Sequence, residues 1–136
     1  MTEFIVLNKQ RVHPIDCREI RRFLGRLGPE LGVAEREFSV VLITDAKMRT
    51  LNRDYRGIDR STDVLSFCGG DECLGDILIS AETAYNQARQ SRTLSFETNL
   101  HRLMLHGLLH LMGYDHETDD GEMRRLERRF RRRFQC

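Results

Sequence analysis

The sequence has no tryptophan, only two prolines, and only two lysines among its 22 basic residues, Lys9 and Lys47. No apolar run approaches the roughly twenty residues of a membrane-spanning helix. Met1-Thr2-Glu3 has neither the basic start nor the apolar stretch of a secretory signal. These absences predict a cytoplasmic protein. There is no CxxC among the four cysteines, Cys17, Cys68, Cys73 and Cys136. They therefore read as reduced thiols; Cys68 and Cys73 lie close in sequence, but two thiols alone do not close a zinc site. Low-complexity tracts, internal repeats and dividing linkers are missing as well, and one domain over residues 1–136 is expected.

What is present is a globular composition, 40% hydrophobic and 32% charged, in a chain long enough to bury a core. The net charge of +1 is unevenly spread. Residues 121–136 hold seven arginines (Arg124, Arg125, Arg128, Arg129, Arg131, Arg132 and Arg133) against Glu122 and Glu127. Arginine binds phosphate as a bidentate fork, so this stretch is a candidate nucleic-acid contact, in particular Arg124, Arg125, Arg128 and Arg129. The alternative is a solvated helix face opposite the Met123–Leu126–Phe130–Phe134 stripe.

The pattern predicts the order β-α-β-α-β-β-α-α-α, an α+β fold with a small sheet. Strands are expected at Glu3–Asn8, Phe38–Thr44, Asp63–Phe67 and Leu74–Ser80, the last two as a hairpin. A helix opening at His13-Pro14 is expected to break at Gly28-Pro29. Asp45 reads as the cap of a second helix, with Met48, Leu51 and Tyr55 on one face. Helices then run from Ser80 to about Gln90 and from Ser95 to Met112, stopped by Gly113. Asp119 and Glu122 read as a capping box for the last helix.

The chemistry concentrates in His106-Gly-Leu-Leu-His110-Leu-Met-Gly-Tyr-Asp-His116. Histidines four apart on a helix share a face, and two imidazoles so placed can reach one metal ion. Gly113 lets the chain turn back, so that His116 reaches the same ion from outside the helix. Three nitrogen ligands leave a fourth position for water, the pattern of a catalytic rather than a structural zinc site. Zinc peptidases carry glutamate directly after the first histidine. Here that position is Gly107, which disfavours a peptidase using such a base. Asp115 is the nearest candidate base, or a partner that orients a histidine. His101 lies about 140° around the helix from His106 and should stay outside the site. His13 reads as a surface residue.

A polar loop and hairpin complete the constellation: Tyr55–Phe67 (YRGIDRSTDVLSF) and Leu74–Ser80 (LGDILIS). With His106–His116 (HGLLHLMGYDH), these segments resemble the YbeY family of metal-dependent endoribonucleases that act in ribosomal RNA maturation. The similarity spans nearly the whole chain. Ser61 and Cys68 stand where the family usually has proline. The resemblance implies a four-stranded mixed sheet with helices packed on it, and a three-histidine metal site on and just after a central helix. It implies zinc held by His106, His110 and His116, with Arg56 facing the metal and supporting activity. The expected function is single-strand-specific cleavage of RNA in the processing of small-subunit ribosomal RNA ends and in ribosome quality control, in association with ribosomal components. The competing readings are a zinc hydrolase of a peptide or amide and a non-catalytic zinc-containing ribosome-assembly factor.

Overall fold

The computed structural model describes residues 4–70, 73–115 and 117–136. Alternating β-branched and apolar residues form β1 (Phe4–Asn8) and β2 (Glu37–Ile43), which pair in parallel. β4 (Cys73–Ser80) lies parallel to β2 on its other side, and β3 (Val64–Cys68) closes the sheet as an antiparallel hairpin with β4. The order β1-β2-β4-β3 is therefore a four-stranded mixed sheet. The helices are α1 (Cys17–Leu31), α2 (Asp45–Arg56), α3 (Ala81–Arg89), α4 (Phe96–Leu111) and α5 (Glu122–Phe134).

Strand alternation divides the sheet into two faces. Val6, Phe38, Val40, Leu42, Ile77 and Ile79 belong to the main core, shared with α1, α4 and α5. Ile43 and Leu65 point the other way and pack with Met48 of α2 in a second, smaller core. Central α4 buries Leu100, Leu103, Met104, Leu105, Leu108 and Leu109. Each such side chain contributes about 1.5–3 kcal/mol on burial, so α4 is held as rigidly as anything in the fold.

Several expected boundaries shift. α1 begins at Cys17, because the Asp16 carboxylate accepts from the amides of Arg18 and Glu19 and caps the helix after Pro14. It also continues through Gly28-Pro29 to Leu31, ending at Gly32 with φ 77°. Leu31 packs on the core, which compensates for the amide hydrogen that Pro29 lacks. The cap of α2 is Thr44, not Asp45. Tyr55 does not join Met48 in the core; it is 70% exposed and meets Phe67 edge-on. The last helix has Gly121 at its N-cap, with Asp119 still accepting from the amides of Gly121 and Met123. Glu122 is thus the first helical residue and not the third that a capping box requires. His13 is half-buried, its ring stacked on Tyr85 at 4.0 Å. All four cysteines are free.

Candidate functional site

Ser95 starts α4 by accepting from the Thr98 amide at 3.0 Å. The helix stops where Gly113 takes φ 101° and donates its amide to the His110 carbonyl at 3.0 Å. Between these ends, Asn99, Arg102, His106 and His110 recur at three- and four-residue spacing, a polar stripe flanked from Leu103 onward by apolar side chains. The rings of His106 and His110 stand edge to face with centroids 4.7 Å apart. Both face one cavity of about 380 Å³, whose wall also includes Arg56, Thr62, Asp63 and Ser66.

Gly107 lies between these histidines but points into the sheet. A Cβ there would meet Cγ2 of Ile77 at 2.7 Å. The position a zinc peptidase gives to glutamate is therefore a close helix–sheet contact with no room for a base. The Gly107 carbonyl accepts from the Ser66 hydroxyl at 3.3 Å, tying α4 to β3 beside the cavity.

Glu127 of α5, which in the sequence counts only as a charge against the arginines, is buried against this site. Its Oε1 lies 3.1 Å from His106 Nδ1, and its Oε2 accepts from Arg131 at 3.3 Å. With Nδ1–H donated to the carboxylate, the tautomer that keeps the acceptor lone pair on Nε2 of His106 is favoured. One sequence signal could have revealed Glu127: it sits four residues after Met123 on the apolar stripe, where a carboxylate needs a partner.

Arg56 is the last residue of α2, and Gly57 turns the chain away at φ 71°. A hydrogen-bonded hub fixes the following loop. Asp45 accepts from the hydroxyls of Ser61 at 3.0 Å, Thr83 at 2.6 Å and Ser80. Burial pushes the Asp45 carboxyl up, but the hydroxyls of Ser80, Thr83 and Ser61 outweigh it and hold it below its ordinary value. Asn52 donates to the Arg60 carbonyl at 2.9 Å, and Arg49 pairs with Asp59 at 2.8 Å. The loop is thereby positioned to carry Thr62 and Asp63 to the histidines.

The remaining candidates divide. His116 lies outside the described residues. Asp115 shapes a turn, its Oδ1 accepting from the Glu117 amide at 2.9 Å. Arg124, Arg125, Arg128 and Arg129 are exposed on α5, with Arg125 donating to the Asp120 carbonyl and Arg129 lying over Phe130.

His101 faces away from the site, as its five-residue offset requires. Its Nε2 is 2.7 Å from Glu19, and the ring stacks on Phe23 at 3.9 Å. Glu97 completes a cluster whose ligand-type atoms lie within 4.8 Å of one another. Burial, then the neighbouring Glu97, push the Glu19 carboxyl up to about 7. The proton it holds stabilises the fold fully below its ordinary value of 4.5, and that contribution disappears as pH rises through about 7. Glu97→Gln is expected to bring the Glu19 midpoint down, read by carboxyl carbon NMR titration. An unchanged midpoint would contradict the assigned cause.

A mixed four-stranded sheet under a helix whose paired histidines share one cavity with an arginine defines an α+β protein with an imidazole- and guanidinium-lined pocket. The chain belongs to the family described as Endoribonuclease YbeY, whose family model matches residues 6–135. Among its curated relatives, Endoribonuclease YbeY of Geobacter sulfurreducens is 40% identical over 138 residues, covering 95% of this chain and 91% of the relative. That of Solibacter usitatus is 47% identical over 113 residues, covering 82% and 75%. A solution structure of a Thermotoga maritima protein superposes with a TM-score of 0.69 at 26% identity, covering 96% of this chain and 88% of the other. Among the described residues, no helix is long and apolar enough to cross a membrane.

Proposed function

We propose that this chain is a metal-dependent endoribonuclease. It cleaves single-stranded RNA in the processing of small-subunit ribosomal RNA ends and in ribosome quality control, in the cytoplasm and in contact with ribosomal components. Residues 1–136 act as one metallohydrolase domain. The observation that carries this reading is the shared cavity of His106, His110 and Arg56. The family relationship supplies the substrate class.

The donor set fits a transition metal. Two imidazoles on successive turns face one cavity, and one of them is oriented by a buried carboxylate. His106 and His110, joined by His116, would hold the ion, zinc or another divalent transition metal that imidazole suits. When bound, it supplies Lewis acidity toward a phosphate oxygen. Arg56 pairs with the same phosphate and stabilises the negative charge that develops during cleavage. Glu127 keeps His106 in its ligating tautomer. Arg124, Arg125, Arg128 and Arg129 add a salt-dependent attraction for the RNA backbone.

Two outcomes are expected from variants. Arg56→Ala lowers kcat by about 10²-fold or more, the cost of losing one pre-positioned donor to a developing anion. Steady-state kinetics on an end-labelled RNA reads this, and an unchanged kcat would remove Arg56 from the mechanism. Glu127→Gln weakens metal affinity by roughly 10–100-fold, measured by competition with a chromogenic chelator on folded protein. Equal affinities would deny Glu127 its orienting role.

The reading itself is tested by offering purified protein an end-labelled single-stranded RNA and a peptide side by side, before and after chelation. Metal-dependent RNA cleavage with an untouched peptide is the expected result. Peptide hydrolysis without RNA cleavage would replace the substrate, and folded protein that binds RNA without cutting it would make the chain an assembly factor.

A further inference from the structure

The polar stripe of α4 does not end at the histidines. One turn toward the N-terminus, Arg102 and Asn99 face a second cavity of about 250 Å³, closed on the far side by Arg131 of α5 and Gln87 of α3. Asp63, Val64 and His106 line both this cavity and the one holding His110 and Arg56. The two cavities are therefore neighbours across a shared wall. Four residues of helix separate Arg102 from His106, a rise of about 6 Å. That is the scale of one nucleotide step along an extended strand.

The hydrogen-bonding inventory of the second cavity is asymmetric. Its neutral amides are engaged: Gln87 donates to Asp63 Oδ2 at 3.1 Å, and Asn99 donates to Gln87 Oε1 at 3.0 Å and to the Ala84 carbonyl at 2.9 Å. The nearby carboxylates are engaged too. Asp63 also accepts from the Val64 amide at 2.8 Å, and Glu127 takes His106 and Arg131. By contrast, the Nε–H groups of Arg102 and Arg131 are buried and have no acceptor among the described residues. Buried donors without acceptors are costly, and here both belong to guanidinium cations that line one cavity. The unmet need is for acceptor oxygens carrying negative charge, which a phosphate group supplies.

We propose that this cavity is a subsite for the phosphodiester flanking the one cleaved, with the guanidinium groups of Arg102 and Arg131 donating to its non-bridging oxygens. The proposal rests on the endoribonuclease reading for the identity of its ligand. It assigns Arg131 a different role from the exposed arginines of the same helix. Those attract RNA from outside, whereas Arg131 and Arg102 set the position of the strand relative to the histidines. A substrate reduced to a single phosphodiester leaves the subsite empty and loses its contribution to binding.

The arginine Nε–H resonances of metal-free protein provide the test, with signals assigned through Arg102→Gln and Arg131→Gln. The probes are inorganic phosphate and a single-stranded tetraribonucleotide, and exposed Arg21 of α1, which lines neither cavity, serves as reference. Both subsite resonances are expected to shift with the tetranucleotide, at concentrations well below those needed for inorganic phosphate, while Arg21 follows only bulk screening. In parallel, metal-loaded protein is assayed on the tetranucleotide and on a dinucleotide. Arg102→Gln is expected to raise KM for the tetranucleotide about tenfold, as loss of one charge-assisted bond implies, and to leave the dinucleotide KM unchanged. Arg102→Lys should recover part of the loss. Should the resonances ignore the tetranucleotide while the enzyme still cuts RNA, the subsite is wrong and the endoribonuclease reading stands. A response to inorganic phosphate alone would make it a free-anion site and overturn the proposal as well. Shifts with the tetranucleotide but no cleavage of any RNA would support the subsite and count against the catalytic reading.

Discussion

Replacing His110 by alanine is expected to abolish metal-dependent RNA cleavage, lowering kcat/KM by on the order of 10³-fold or more. The size follows from losing several kcal/mol of charge stabilisation at the phosphate, each 1.36 kcal/mol being a factor of ten. The substitution should leave the fold almost untouched. His110 faces the cavity and is only half-buried, while its neighbours Leu108, Leu109 and Leu111 make the core contacts. Metal content and thermal midpoint separate the two effects. The variant should lose stoichiometric metal and melt at the midpoint of the metal-free wild type. An inactive variant that keeps its metal would assign His110 a different role, and an active one would move the catalytic centre elsewhere.

Gly75→Ala is expected to destabilise the protein by about 3 kcal/mol or more. Two costs add here. Gly75 has φ 141°, a backbone region that side chains rarely enter, at a penalty of roughly 1–3 kcal/mol. A Cβ would also overlap the Phe67 carbonyl oxygen and come within 2.7 Å of Leu111 Cδ2, and overpacking of this kind costs about 1–3 kcal/mol. The glycine follows a register irregularity where β4 leaves its pairing with β2 between Glu37 and Phe38. That bend lets the hairpin pass beneath the end of α4. Urea denaturation reads the change, and a loss below about 1 kcal/mol would show that the hairpin moves aside at little cost. Because Leu111 is the residue after His110, catalysis should fall along with stability.

The strands and their order were legible because β-branched and apolar runs have few other uses at this length. Their pairing follows from the short Cys68–Cys73 connection and the helical crossovers. The histidine pair was legible too, since four-residue spacing on a helix dictates a shared face. Helix starts were less so. Pro14 tolerates a first turn, but Asp16 offers the amides of Arg18 and Glu19 a carboxylate acceptor, and only the three-dimensional arrangement decides between them. Glu127 and the Asp45 hub were hidden for a different reason. Their partners are far away in sequence: Ser80 is 35 residues from Asp45, and His106 is 21 from Glu127. No periodicity encodes such pairs. Gly107 shows the opposite case, where a departure noticed in the sequence acquires its reason from the contact with Ile77.

The most direct test titrates zinc into metal-free protein and records the initial rate of single-stranded RNA cleavage at each addition. The account predicts a rate that rises linearly, levels at one metal per chain, and is missing at every addition in His110→Ala. Cleavage that proceeds at the same rate without metal, or equally in the variant, would contradict it.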